Sequence, residues 1–399
     1  MPEAVIVATA RTPIGRANKG SLTECRPDDL SALVVKAVLE KLPNLDPQTV
    51  EDVIWGCGQP AGEAGYNLAR VVSLLAGLPD APGVTVNRYC SSSLQTIRMA
   101  AHAIKAGEGD VFVAGGVETV SRFLHGASDT GPHNPLFADA EARTAQLSQG
   151  ADSWEPFDGL PDIYIAMGQT AENVALKEGV TREEMDEWGA LSQQRAVEAQ
   201  ERGFFEREIV PVTLADGTVV SKDDGPRPGT TVEKLSQLQP VFRPDGRVTA
   251  GNACPLNDGA AAVVVMTDTR AEQLGIEPLA RIVSSGVTGL DPEIMGLGPI
   301  EACRMALSRA GLTIEDIDIV EINEAFAAQL IPSMKHLGIT REQLNPNGGA
   351  IALGHPFGMT GARIMTTLLN GLEDSGGRYG LESMCVGGGQ GMAMVVERL

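Results

Sequence analysis

The chain has 399 residues, enough for two or three domains with well-buried cores. Its 52 Asp and Glu against 31 Lys and Arg give a formal charge of -21, which argues against nucleic acid or an anionic membrane as a general partner. Any anionic ligand must find a local basic patch. The longest apolar stretch, Ala260 to Met266, falls far short of the roughly 18 residues that a membrane span needs. Cysteines at 25, 57, 90, 254, 303 and 385 include no C-x-x-C pair, which fits neither a zinc site nor a small disulfide framework. A reducing cytoplasm is the expected setting. The 46 glycines fall in short clusters (Gly115-Gly116, Gly348-Gly349, Gly387 to Gly389), a pattern of tight turns and close backbone approach.

In chain order, the apolar run from Ala4 ends at Arg11, Thr12 and Pro13 with no basic segment before it, and reads as a first strand rather than a signal peptide. Asp28 to Leu42 has helical spacing and a Pro43 stop, Val50 to Gly58 reads as strand, and Gly65 to Ala76 as helix. Val84 and Val86 alternate as a strand, Leu94, Ile97, Ala101 and Ile104 recur as a helix, and Cys90 sits at the switch. Strand Asp110 to Ala114 follows. This βαβ alternation predicts a mostly parallel sheet covered by helices.

From Ser121 to Thr249 the alternation gives way to polar loops and helices, among them Thr170 to Glu178 and Thr181 to Gly203. Trp154, Trp188 and Phe204 read there as packing residues. Strands resume at Gly259 to Met266 and Ala280 to Val287. Then come helix Ile300 to Ala310, strand Ile317 to Ile322, helix Ala325 to Leu337, a glycine-rich loop, helix Ala362 to Leu372, and strands Leu381 to Val386 and Met392 to Glu397. The two ends look like copies. Duplication would bring their corresponding loops together at a pseudo-twofold axis, with Cys90 facing the loop that carries His355.

A thiol at a helix N-terminus feels unpaired N–H groups and the positive dipole end, both of which favour the thiolate. Ser91, Ser92 and Ser93 are natural capping residues there. Taken alone, a cysteine in an apolar stretch is an inert small hydrophobe, a histidine between Gly354 and Pro356 a bonded loop residue, and Cys385 the end of a buried strand. Asn323 alone reads as a helix N-cap.

Four stretches change that balance: N-R-Y-C-S-S at Asn87 to Ser92, N-E-A-F-A at Asn323 to Ala327, G-H-P-F-G-M-T-G-A-R at Gly354 to Arg363, and C-V-G-G-G-Q-G at Cys385 to Gly391. With R-T-P-I-G near the start, G-G-V-E at Gly115, M-G-Q-T-A-E-N-V-A at Met167 and G-N-A-C-P-L-N-D-G at Gly251, the whole chain resembles the thiolases. The resemblance implies an α/β thiolase fold: duplicated βαβαβ-type halves in a layered α-β-α-β-α structure with an inserted loop domain. The halves would be residues 1–120 with 250–270, and 271–399, with the loop domain at 121–249.

It also implies roles. Cys90 takes the acyl group, His355 is its base, and Cys385 moves a proton at the alpha carbon of the second thioester. The N–H groups of Cys90 and Gly387 hold one oxyanion; His355 and a water on Asn323 hold the enolate oxygen. Coenzyme A contacts would come from Arg227, Leu238, Phe242, Ala250, Cys254, Met295, Ala325 and Phe326, with Met167 nearby. Cys254 stands where a serine is common, Ser93 where a glycine is common, and Ala166 where short-chain biosynthetic members carry histidine. The implied activity is reversible acyl transfer between coenzyme A and the alpha carbon of acetyl-CoA, in acyl-CoA and fatty acid metabolism, β-oxidation included. No cofactor or metal is implied, and a homo-oligomer, dimer or tetramer, is. The rivals are a β-ketoacyl synthase-like condensing enzyme and a non-catalytic acyl-CoA-binding protein of the same fold.

Overall fold

The computed structural model describes residues 2–399; Met1, with which the first expected half begins, lies outside them. The N-terminal part runs β1 (Ala4–Arg11), α1 (Pro27–Glu40), β2 (Asp52–Cys57), α2 (Leu68–Leu75), β3 (Gly83–Val86), α3 (Ser92–Ala106) and β4 (Val111–Thr119). Helices α4 (Ala138–Leu147), α5 (Met167–Lys177) and α6 (Arg182–Glu201) follow before β5 (Asn257–Thr267). The remainder runs β6 (Ala280–Gly289), α7 (Gly298–Ala310), β7 (Ile319–Ile322), α8 (Ala327–Leu337), α9 (Thr360–Ser375), β8 (Tyr379–Val386) and β9 (Gln390–Arg398).

Strand order repeats between the two parts. One is β3-β2-β4-β5-β1, the other β7-β8-β9-β6, and they join edge to edge where Val5 and Ile6 meet Arg281 and Ala280. Pairing sense repeats too: β2 is parallel to β3 and β4 as β7 is parallel to β8, while β4–β5 and β8–β9 are antiparallel. A parallel bridge from Val320 to Leu344 occupies the place of β3 in the second copy. The sheet is therefore mixed, not mostly parallel. Strands buried on both faces are continuous apolar runs whichever way they point, so composition does not reveal direction. Val263 and Val265 of β5 face one core while Val264 and Met266 face another, the alternation that strand geometry dictates.

Three cores separate the layers. The outer ones pack α1 and α2 on the first part of the sheet and α7 and α8 on the second. The middle core holds α3 and α9 between the two parts of the sheet. Leu94 and Ile97 of α3 and Ile364, Met365 and Leu368 of α9 are fully buried there, each side chain stabilising by about 1.5–3 kcal/mol. Trp154, Trp188 and Phe204 are buried packing residues, as expected. Helix α4 went unread because only Ala140 of it is buried, which leaves no apolar stripe. Among the described residues no helix is long and apolar enough to cross a membrane.

Helices α3 and α9 touch at backbone distance. A Cβ on Gly361 would lie 2.4 Å from the Leu94 nitrogen and 2.9 Å from its Cα. We therefore expect Gly361→Ala to destabilise the protein by about 1–3 kcal/mol and to lower activity beyond the loss of folded protein, because both flanking loops shift. Urea denaturation with activity per folded molecule checks this; an unchanged midpoint would mean that the helix contact is looser than described.

Candidate active site

Cys90 lies in a single helical turn, Tyr89–Ser91, between β3 and α3 and is 9% exposed. Asn87 Oδ1 accepts the Tyr89 N–H at 2.8 Å, holding Tyr89 at a φ of 42, left-handed backbone that a residue with a side chain rarely adopts. Ser92 Oγ accepts the Arg88 N–H at 2.9 Å and donates to the Tyr89 carbonyl at 2.7 Å. None of the three serines caps α3 through its side chain, contrary to expectation. Ser93 instead accepts the Ala362 N–H at 2.9 Å, in the first turn of α9. The hydroxyl that replaces a common glycine thus ties the two helices together.

The expected low-pKa thiolate is also corrected. Burial pushes the Cys90 thiol up to about 11, more than the Gly387 and Cys90 N–H groups at the sulfur bring it down, and the Glu118 carboxylate adds to the rise. Desolvation outweighs the helix terminus. Glu118 accepts N–H groups from Gly58 (2.8 Å), Gln59 (3.1 Å) and Gly358 (2.9 Å), which clamps the loop after β2 to the loop after His355. Burial still pushes its carboxyl up to about 7.

His355 donates its backbone N–H to Asn257 Oδ1 at 2.9 Å, and its Nδ1 lies 2.6 Å from Thr360 Oγ1. Thr360 spends its own hydroxyl proton on the Pro356 carbonyl at 2.8 Å. The imidazole proton therefore sits on Nδ1, and Nε2, buried with no protein partner, carries a free lone pair. Burial first, then the like charge of Arg363, pushes this imidazole down to about 3, so it rests neutral.

Cys385, in β8, is fully buried, and burial followed by the neighbouring Cys90 and Cys254 raises its pKa well above the ordinary thiol value. Gly387 begins the turn into β9, with Gly388 and Gly389 at φ 76 and 77. Asn323 extends β7 by donating its N–H to the Ser383 carbonyl at 2.9 Å. It is no N-cap: α8 starts after Phe326. Both Asn323 amide atoms are buried without a protein partner, and leaving such groups unpaired costs about 1–3 kcal/mol each. They suit a ligand or a held water.

Two cavities approach this cluster. The first, about 420 Å³, is lined by Cys90, Gly387, Met167, Tyr89, Tyr164 and Phe357, among others. The second, about 310 Å³, is lined by Arg227, Leu238, Phe242, Ala250 and Cys254, five of the expected coenzyme A contacts. Ala325 and Phe326 stand behind its wall. The Cys254 N–H donates to the Ala325 carbonyl at 3.0 Å, and the Phe326 ring meets Phe242 edge-on at 6.2 Å. Met295 is buried in the outer core and lines neither cavity, and Met167 lines only the first. Sequence reasoning missed Arg16 and Gln193 in the second cavity, although Arg16 directly follows the R-T-P-I-G motif. Among the described residues no group of His, Cys, Asp and Glu could hold a metal ion.

The family model described as the thiolase N-terminal domain matches residues 4–269, and that for the thiolase C-terminal domain matches residues 276–398. A beta-ketoadipyl-CoA thiolase of Acinetobacter baylyi is 45% identical over 100% of both chains. A 3-ketoacyl-CoA thiolase of Marinobacter nauticus is 46% identical over 100% of this chain and 98% of its own. The crystal structure of the Bacillus anthracis acetyl-CoA acetyltransferase superposes with a TM-score of 0.86 at 39% identity, covering 100% of this chain and 99% of that one.

The neutral resting pair has a measurable consequence. With a Cys90 pKa of about 11, the thiolate fraction grows tenfold per pH unit below it, so iodoacetamide should alkylate Cys90 at a rate that climbs steadily between about pH 7 and pH 10. A plateau near neutrality, read by peptide mapping of the free protein, would reveal a thiolate already paired with imidazolium.

Proposed function

The chain belongs to the thiolase family, and from that premise we propose that it cleaves 3-ketoacyl-CoA with coenzyme A to acetyl-CoA and a shortened acyl-CoA, or runs the reverse Claisen condensation, through acyl-Cys90. The observation that carries the reading is the convergence on one sulfur of the Gly387 and Cys90 N–H groups, across the α3–α9 contact from an imidazole with a free Nε2 lone pair. We also read residues 1–120 with 250–270, and 271–399, as the two thiolase halves, and 121–249 as the loop domain.

In the cleavage direction, the Cys90 proton passes to His355 Nε2 as the sulfur attacks the keto carbon. Negative charge then develops on that oxygen, where the Cys90 and Gly387 N–H groups receive it. The carbon-carbon bond breaks and acetyl-CoA departs as its enolate, whose oxygen meets the protonated His355 and a water on Asn323. Cys385 protonates the alpha carbon. A thiol held well above its usual pKa is in the right form to give that proton. Coenzyme A then attacks acyl-Cys90: its thiol proton goes to the Cys385 thiolate, the Cys90 sulfur leaves and takes back the proton held by His355, and the shortened thioester is released. No step calls for a metal or a redox cofactor, and coenzyme A is both substrate and product.

The second cavity would take coenzyme A. Arg227, held below its ordinary pKa by burial and then by the like charge of Arg16, shares that cavity with it. Two neighbouring guanidiniums without a carboxylate partner suit a polyphosphate. A reducing, cytoplasmic setting suits the six free cysteines, two of which carry the chemistry. As a homo-oligomer, the chain would use the open edge of β3: among the described residues only β2 pairs with it, and Tyr66, Leu74, Leu75 and Val84 stand exposed around it.

Light scattering at micromolar concentration should return a mass of at least two chains; a monomer mass would refute the oligomer. The chemistry itself is tested by Cys385→Ala. Acetyl labelling of Cys90 from acetyl-CoA, read by intact mass and peptide mapping, should survive. Thiolysis of acetoacetyl-CoA should fall by about 10² to 10⁴. Equal losses in both half-reactions would return Cys385 to a packing role, and a label on a different cysteine would displace Cys90 as the nucleophile.

A further inference from the structure

We propose that the first cavity selects uncharged acyl groups over acyl groups ending in a carboxylate, with Asp129 as the specificity-determining residue. The inference rests on the thiolase reading above and goes beyond it, since relatives named for 3-ketoacyl-CoA and for beta-ketoadipyl-CoA resemble this chain about equally, at 46% and 45% identity. Sequence similarity does not decide between a methyl and a carboxylate end. The cavity wall does.

Cys90 opens into this cavity, so an acyl group on its sulfur extends there. The walls beside the sulfur are apolar: Ile163, Ile165, Met167 and Phe357, with the ring of Tyr89. Tyr89 reaches the cavity because of its left-handed backbone at φ 42, an uncommon conformation for a tyrosine. Its hydroxyl points toward Asp129 Oδ1, 3.5 Å away. Asp129 therefore stands one tyrosine length out from the nucleophile's neighbour, where the far end of a bound acyl group arrives.

The position of Asp129 is built. Gln59 Nε2 donates to Asp129 Oδ2 at 2.5 Å, while Gln59 Oε1 accepts the N–H groups of Ser128 (2.8 Å) and Asp129 (3.0 Å). One glutamine, itself held by Glu118 through its backbone N–H, fixes the carboxylate and its loop together. Among the described residues no lysine or arginine lines the cavity. Arg88, next to Tyr89 in the chain, is held by Gln390 Oε1 at 2.7 Å, Arg122 by Glu63 and Arg143 by Glu293. His133, also in the wall, stacks on Tyr164 at 3.9 Å and places Nδ1 2.8 Å from Glu141, so any charge it gains is matched by that carboxylate. An entering carboxylate would lose water, meet a like charge and find no counter-ion. Because Asp129 remains accessible to solvent, screening keeps the penalty moderate, about ten-fold rather than a thousand-fold.

The test compares 3-ketohexanoyl-CoA with 3-ketoadipyl-CoA, which share a chain length and differ in a terminal methyl against a carboxylate. The full-length enzyme should favour 3-ketohexanoyl-CoA in kcat/KM by about ten-fold or more, and Asp129→Asn should narrow that ratio by about ten-fold. Measured on one preparation, the ratio is independent of the folded fraction, so poor folding of the variant does not mask the result. Equal or better use of 3-ketoadipyl-CoA by the native enzyme overturns the inference, as does a ratio that Asp129→Asn leaves unchanged. Cleavage of neither substrate by an enzyme that still takes acetyl from acetyl-CoA onto Cys90 overturns this inference alone. Failure of that acetylation overturns the underlying thiolase reading instead.

Discussion

The backbone contact between α3 and α9 is the constraint on which the site depends. Two helices approach this closely only where a side chain is missing, and Gly361 against the Leu94 backbone provides the gap. Ser93 then spans the same contact by accepting the Ala362 N–H. Each helix is preceded by a loop that holds one of the proposed catalytic groups, Cys90 before α3 and His355 before α9. Pinning the helices therefore pins the loops. Glu118 adds a second clamp by drawing N–H groups from the loop after β2 and from Gly358 into one carboxylate. A fold built from two copies thus brings unlike loops together at the place where its copies meet.

Burial sets the electrostatics of that place. It pushes the Cys90 thiol up to about 11 and the His355 imidazole down to about 3, and both therefore rest neutral. Cys385 is held as a thiol by the same desolvation. The favourable polarity lies in fixed groups: the Gly387 and Cys90 N–H groups, the Asn323 amide and the His355 lone pair. Fixed dipoles need no reorganisation when charge appears on a substrate oxygen, whereas a standing ion pair in a chain of charge -21 would first have to be desolvated. A helix terminus beside a cysteine predicts a thiolate only where water also reaches the sulfur.

Helical stripes, the Cys90 turn and the repeated plan were legible because each follows from local periodicity or from motifs that stay contiguous. Strand direction was not. β4 and β5 are both continuous apolar runs, and their antiparallel pairing depends on the long excursion between them. The serines after Cys90 looked like caps because capping propensity is local, yet Ser93 serves a helix 269 residues away. Asn323 looked like an N-cap for the same reason, while the helix begins only after Phe326. Five of the coenzyme A contacts inferred from resemblance line one cavity, but Met295 packs in the outer core. Asp129 lies in an irregular segment and Arg16 in a strand of two residues, Gly15–Arg16, too short for periodicity to mark it.

The distribution of paired and unpaired charge separates the two cavities. Several cations in this acidic chain meet a carboxylate: Arg11 meets Glu208 and Asp223, Arg122 meets Glu63, and Arg182 meets Asp186. Arg16 and Arg227 have no carboxylate partner; both line the second cavity, and Arg16 Nε is buried without a partner among the described residues. The first cavity shows the opposite arrangement, a carboxylate in the wall and, among the described residues, no lysine or arginine there. A ligand that is polyanionic at one end and uncharged at the other fits this asymmetry in only one orientation. On the reading proposed above, contacts to its distant anionic end would orient the reacting thioester at Cys90, which is how binding remote from the chemistry contributes to rate.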